Sequence, residues 1–444
     1  MDLIDELEPT TGASRAEASP ADVFDRPLVG PDEAADPRLR DNRDLRIVLA
    51  GQGISAVGDA VSVTAMPLLV LALTGSGLQM GIVGILQRLP DLLFGLPAGA
   101  YADRWDRRRM MLWADLGRAV LTALIPLAAV LGLPVMGVVL LVSFPINVCR
   151  VLFMAAWTAA IPNLVGVRQV GRATGLFHAV IGGSFIIGPA IAGLLVSQIG
   201  GPATLGIDAI SFAVSAVSLA LIRRPLRQAQ PAAGGSLVHD MAEGVRFVAH
   251  HPVLRDTVAF WTMVSLVSAP IIPAVTYYVT IDRGLGAAAF GFIVAGYSVG
   301  TLLGALLGSR LGSGRAAPQL LLGNLAVAIA TAGVALSGAL PVLLLLAFAS
   351  GASQAVVLVT YVTVRATSSP DALLGRVGST ARTISVGIQP IGLLLGGILL
   401  DALHGGPTLL IIAALTSITS ALFAFSPGIR RARTGARTRD AAAA

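Results

Sequence analysis

Seven ionisable side chains interrupt apolar stretches in the first half of this chain: Asp59, Arg88, Asp91, Asp115, Arg118, Arg150 and Asp208. In the second half Arg382 does so, near the end of its stretch, where a long side chain can snorkel to water. A charge in hydrocarbon costs on the order of 2.5 to 3.5 kcal/mol at a helix centre, so it marks either an ion pair or a pathway. Counted at about 1.5 Å per helical residue, Asp59 and Arg88 both fall near mid-depth. Asp59, Arg88, Asp91 and Arg150 are therefore the candidates for ion coupling and cavity lining, with Asp59 the expected carrier of a coupling proton. A purely structural network of Asp59, Arg88 and Asp91 accounts for the same pattern. Asp115 and Arg118, three residues apart, can pair within one helix. Arg150 could also pair with Asp115, and Asp208 reads as structural, near the outer end of its stretch. Among uncharged groups His178, Gln354 and Gln389 could face a cavity or bond between helices.

The other concentration of chemistry is "GAYADRWDRRRMM", Gly99 to Met111, which sets Asp103 and Asp106 among Arg104, Arg107, Arg108 and Arg109. Arginines at a helix end anchor topology, but an acidic residue does not help that task.

The elements that must hold these residues are membrane helices. Of 444 residues 55% are hydrophobic and 13% charged, with a mean hydropathy of +0.79. Twelve apolar segments long enough to span a bilayer run at 46–73, 78–102, 109–131, 135–161, 173–198, 203–222, 257–280, 288–310, 318–338, 341–364, 377–400 and 407–426. They are continuous runs, not the short alternating strands of a β-barrel, so the fold class is all-α membrane protein. Arginines fall in alternate loops: 38–46, 104–109, 168–172, 223–255, 310–315, 365–376 and 430–439. The intervening "TGSG", "GLP", "QIGGPAT" and "SGALP" carry none, and Arg283 alone breaks the pattern. The positive-inside rule puts both termini and the central loop in the cytoplasm.

The expected organisation is a disordered tail at 1–45, a six-helix bundle at 46–223, a cytoplasmic loop at 224–255, a second six-helix bundle at 256–427 and a tail at 428–444. Residues 1–37 lack the apolar core of a signal peptide. Within the loop Val238, Met241, Val245 and Val248 recur at helical spacing against Asp240, Glu243 and Arg246, which predicts a short amphipathic helix, on the membrane surface or solvated.

The lone Cys149 gives neither a disulfide framework nor a cysteine metal site, and no metal or other cofactor is expected. There is no G-x-x-x-x-G-K-[ST], so nucleotide does not drive this chain, and "GYSVG" at Gly296 to Gly300 lies in an apolar helix without the strand and turn of a nucleophile elbow. An enzyme is not expected, nor is binding to nucleic acid.

Twelve spans in a 6+6 arrangement, with Gly99-x-x-x-Asp103-Arg104-x-x-Arg107-Arg108 between the second and third, resemble the major facilitator superfamily. "DRxDRRR", "TGSGLQMG", "IPNLV", "GIDAISF" and "LLGRV" resemble its macrolide-efflux and siderophore-exporter branch. "GGSFIIGPAIAG", Gly182 to Gly193, is similar to the Gly-Pro motif of drug–proton antiporters, with Gly183, Gly188, Pro189 and Gly193 retained. "GALLGSRLGSGR", Gly304 to Arg315, is a weak internal echo of the charged turn. The resemblance implies a monomeric bacterial inner-membrane exporter of a small amphipathic molecule, such as an antibiotic or siderophore, driven by the proton gradient. A proton-coupled importer and a non-transporting sensor remain the alternatives. It also implies that Asp103 caps the N-terminal end of the eleventh span near Gly375 to Ser379 as a latch, that Gly99 permits close helix approach there, and that the third span is peripheral.

Overall fold

The computed structural model describes residues 39–222, 226, 237–311 and 314–435. The first half contains α1 (Arg43–Thr74), α2 (Gly77–Arg104), α3 (Arg107–Val130), α4 (Val135–Val165), α5 (Val170–Ile199) and α6 (Gly201–Ala220). After α7 (Leu237–His250), the second half contains α8 (Pro252–Ser268), α9 (Ile271–Tyr277), α10 (Gly286–Arg310), α11 (Ala317–Leu336), α12 (Leu340–Thr367), α13 (Leu374–Gly387), α14 (Gln389–Leu403), α15 (Gly405–Ala424) and α16 (Pro427–Arg431).

Local chemistry sets the helix ends. Asn42 accepts from the Leu45 amide at 3.0 Å and starts α1, while Gly75, in the left-handed region at φ 65°, ends it. Ser76 caps α2, and Asp106 caps α3 by accepting from the Arg109 amide at 3.1 Å. Two expected spans are broken. The segment expected at 257–280 divides into α8 and α9 at Ala269 and Pro270, and the one at 377–400 into α13 and α14 at Ile388, before Pro390; proline lacks the amide a continuous helix needs.

Among the described residues eleven helical segments, counting each broken pair once, are long and apolar enough to cross a membrane. The 28-residue α2, which carries Arg88, Asp91, Asp103 and Arg104, packs among them against α4 and α14. Within the first half α1 packs on α5 and α6, and α3 on α4 and α6; within the second, α12 packs on α10 and α11, and α11 on α15. The halves meet along α5 with α10 and α2 with α14. Gly193 and Gly291 make the first contact possible: a Cβ on Gly193 would lie 2.6 Å from the Ala287 carbonyl oxygen, and one on Gly291 would collide with that of Pro189.

Three apolar clusters show how the halves are closed. One, containing Leu69, Met80, Val83, Leu205, Tyr278, Phe290, Leu343 and Leu400, draws on both halves at the face away from the arginine-rich turns. Toward the basic face the halves have separate cores, one around Met111, Trp157, Leu164 and Leu219, the other around Leu254, Phe260, Leu320 and Val364. The molecule is sealed at one end and divided at the other.

The loop helix forms as expected. It docks on α13: a Cβ on Gly244 would lie 2.8 Å from the Arg376 carbonyl oxygen, and Glu243 pairs with Arg376. Val248 is buried but Val245 is exposed, so the apolar face is narrower than its spacing suggests. The side chains of Val238, Asp240 and Met241 lie outside the described residues. The turn at Gly304 to Arg315 ends in a short antiparallel bridge, Gly314–Arg315 with Arg433–Thr434.

Candidate functional site

A cavity of about 870 Å³ lies between the halves, walled by α1 to α6 and by α13. Asp59, Arg88, Asp91 and Arg150 all line it, joined by Arg118, Asp208 and Arg382. Each of these sits in the interior of its helix, so the cavity holds its charge in the middle of the molecule.

Arg118 is its electrostatic centre. Its side chain is 3% exposed and donates through Nη2 to Asp115 Oδ1 at 2.7 Å; Asp115, wholly buried, also accepts from Ser215 Oγ. Nη1 of the same guanidinium reaches both carboxylate oxygens of Asp59 at the longer distance of 3.4 Å. The Phe212 ring packs against this guanidinium, 4.0 Å from Cζ to ring centroid. Asp59 is 37% exposed to the cavity. One arginine thus serves two carboxylates, one tightly bound and buried, the other looser and open to solvent.

The pairing differs from that expected. Among the described residues no ion pair joins Arg88 to Asp59 or Asp91: Arg88 stands exposed in the cavity, and Asp91 turns to Arg150 of α4. Three-residue spacing brings two side chains to one helix face but does not outcompete a partner across the groove. Arg150 therefore does not pair with Asp115, and its Nε donates to Asn147 Oδ1 at 3.0 Å. Arg118 is not confined to a pair within a peripheral helix. Arg382 lines the cavity, 3.9 Å from Asp91 across the divide between halves, instead of snorkelling away. Asp208 is not near a helix end: it lies inside α6, 1% exposed, and its carboxylate accepts from Ser62 Oγ of α1 and from Ser211 Oγ at 3.0 Å. His178, Gln354 and Gln389 are not among the lining residues, and Gln354 Oε1 is buried without a hydrogen bond.

The charged turn is built into the first half. Arg107 is buried, donating to the carbonyl of Ala159 and to Asn163 Oδ1, each at 2.8 Å, and Arg108 donates to the Leu219 carbonyl at 2.9 Å and to that of Ala220. The Leu219 and Ala220 carbonyls belong to the last turn of α6, whereas Ala159 lies inside α4. Arg104 is exposed at the end of α2. The expected cap by Asp103 falls on a side chain outside the described residues. Gly99 does not sit at a close approach: a Cβ there would meet nothing within 4 Å, consistent with halves parted on this face. The same is true of Gly182 and Gly183, whereas Gly188 is pressed on Ala60 of α1 and Gly193 on α10, with Pro189 between them.

A cap between the halves occurs at the opposite face, at a residue the spacing did not single out. Asp401, at the end of α14, accepts from Ser76 Oγ at 2.8 Å, from the Leu78 amide at 3.2 Å and from the Gly77 amide. It satisfies the N-terminal amides of α2 from the other half of the chain.

Residues 39–436 match the model of the transmembrane secretion effector family. The chain is 28% identical over 408 residues to the multidrug efflux pump Tap of Mycobacterium tuberculosis, covering 86% of this chain and 93% of that protein. It is 27% identical over 226 residues to macrolide efflux protein A of Streptococcus pyogenes, covering 50% and 56% of the two chains. In fold it is similar to a bacterial homologue of the human lysosomal transporter Spinster, with a TM-score of 0.70 at 14% identity, covering 87% of this chain and 97% of that one. These are transporters and not enzymes, and this chain belongs to the transmembrane secretion effector family, within the efflux branch of the major facilitator transporters.

Proposed function

We propose that the chain is a proton-coupled antiporter that exports small amphipathic organic molecules, antibiotics among them, across the bacterial inner membrane, with both termini in the cytoplasm. The observation that carries the coupling is the unequal sharing of Arg118. In this proposal Asp59, open to the cavity and 3.4 Å from Arg118, is the group that takes up and releases the proton, while Asp115 stays paired with the guanidinium. A proton that enters from outside binds a carboxylate oxygen of Asp59; the attraction to Arg118 is lost, and the proton later leaves to the cytoplasm as Asp59 returns to the pair. Alternating access links the steps because the cavity meets one aqueous side at a time. The names of the relatives support export of drugs. Substrate would sit among the apolar wall residues Met66, Ile146, Phe153 and Phe185, beside the charges. The proton gradient serves as the energy source with no bound cofactor, and one chain suffices for the cavity.

Expression in a host lacking its own efflux pumps tests this reading. Lowered accumulation of a macrolide, restored by a protonophore, is the expected result. Raised accumulation would indicate an importer, and no change across a broad compound panel would favour a non-transporting sensor.

A further inference from the structure

The lateral surface carries a second recess, unconnected with the transport cavity. It is a groove of about 1020 Å³ between the start of α11 and the end of α15, with Leu321, Leu322 and Leu325 on one wall. Leu322 is 64% exposed, so this wall faces outward, where hydrocarbon surrounds the helices. At the basic-face end the groove closes on four exposed arginines, Arg315, Arg430, Arg431 and Arg433. Among the described residues no carboxylate lines it, and none is ion-paired with Arg315, Arg431 or Arg433.

The backbone holds these charges together. The Ala316 amide donates to the Ala432 carbonyl at 2.9 Å, and the antiparallel bridge sets Arg315 directly opposite Arg433. Like charges opposite one another in a strand pair are destabilising, so the arrangement calls for an anion between them. Arg430 is steadied by donating to the Ala424 carbonyl at 2.7 Å and by lying over the Phe425 ring. Arg315 lies two residues before α11 and Arg430 follows α15, which places the cluster at headgroup depth, while the apolar wall runs on into the span for about 10 Å. A soluble anion would satisfy the arginines and leave the leucine wall unused.

We propose that this groove binds one acidic phospholipid, with its phosphate among Arg315, Arg430, Arg431 and Arg433 and an acyl chain along Leu321, Leu322 and Leu325. Charge complementarity and the apolar continuation select an anionic lipid over a zwitterionic one.

The test uses the full chain, stripped of lipid in neutral detergent, with dioleoylphosphatidylglycerol and dioleoylphosphatidylcholine as probes and bound lipid counted by native mass spectrometry. The glycerol lipid should bind roughly tenfold more tightly, and the double variant Arg315→Gln, Arg433→Gln should bring that ratio close to one. Without lipid, the double variant should melt no lower than the unaltered chain, because a repulsive pair has been removed. Equal binding of the two lipids, or an unchanged ratio in the double variant, overturns the proposal. Equal thermal stabilisation by glycerol 3-phosphate at the same concentration also overturns it, since that assigns the cluster to a soluble anion. If the double variant aggregates, Arg431→Gln alone carries the same criterion, as its side chain holds no described partner.

Discussion

Asp59 and Asp115 share one guanidinium on unequal terms, and that inequality separates their roles. Replacing Asp115 by Asn removes the 2.7 Å partner of a 3% exposed arginine and should destabilise the detergent-solubilised protein by about 3 to 5 kcal/mol. Asp59→Asn removes only the 3.4 Å contact, from a side chain already open to the cavity, and should lower the melting temperature far less. Arg88→Gln should be nearly neutral for folding, because among the described residues Arg88 has no ion pair to lose. Thermal unfolding of the three variants checks the order; equal loss in Asp59→Asn and Asp115→Asn would mean that both carboxylates are structural. The sequence shows which residues are charged and that their stretches are apolar, and so it finds Asp59, Asp91 and Arg150. It does not show the partners, because helical spacing fixes which side chains share a face but not which helix stands opposite. Arg118 and Asp208 were thus legible as intramembrane charges yet not as members of the cavity wall, which depends on the rotation of α3 and α6.

Among the elements, α2 and α14 form one of the two contacts between the halves, and Asp401 is their fastening at the sealed face. Asp401→Asn keeps the shape but loses the charge at the α2 N-terminus, worth about 0.5 to 1 kcal/mol where solvent is near. That shifts a two-state equilibrium roughly two- to fivefold toward opening at this face. Cysteines placed at the two sides of the seal should therefore react faster with a membrane-impermeant maleimide in Asp401→Asn than in the unaltered chain; an unchanged rate would show that the apolar cluster alone holds the seal. Gly193→Leu should be severe for a different reason, since its side chain would enter the α10 backbone and part the halves. Helix ends were legible to within a few residues from the lengths of the apolar runs, although the caps Asn42, Ser76 and Asp106 were not singled out. The breaks at Pro270 and Pro390 were not placed, because a proline in an apolar run is tolerated by many membrane helices and only packing decides which one yields. Asp401 escaped notice because a charge at a helix end ordinarily needs no partner.

At the scale of the whole molecule, the alternation of arginine-rich and arginine-free loops matches the two faces of the fold: the turns at 104–109, 165–170 and 310–317 emerge on one side, and those at 74–77, 131–135 and 200–201 on the other. Cysteine labelling should place the basic face and the loop at 223–255 in the cytoplasm; labelling of that loop from outside would reverse the direction assigned to the cavity. The two-half arrangement was readable from hydropathy and arginine placement. The seal at one face was not, because the apolar cluster that makes it draws residues from helices far apart in the chain. A cavity open toward the basic side, with its charges in mid-molecule and a loosely paired carboxylate exposed to it, is the arrangement from which proton-driven export would proceed. The most direct measurement is substrate transport in everted vesicles with and without an imposed pH gradient, comparing the unaltered chain with Asp59→Asn. Asp59→Asn should lose gradient-driven accumulation roughly tenfold or more while retaining downhill exchange, since the neutral side chain can still accompany alternating access but cannot carry a proton. Gradient-driven accumulation at the unaltered level in Asp59→Asn would contradict proton carriage by Asp59.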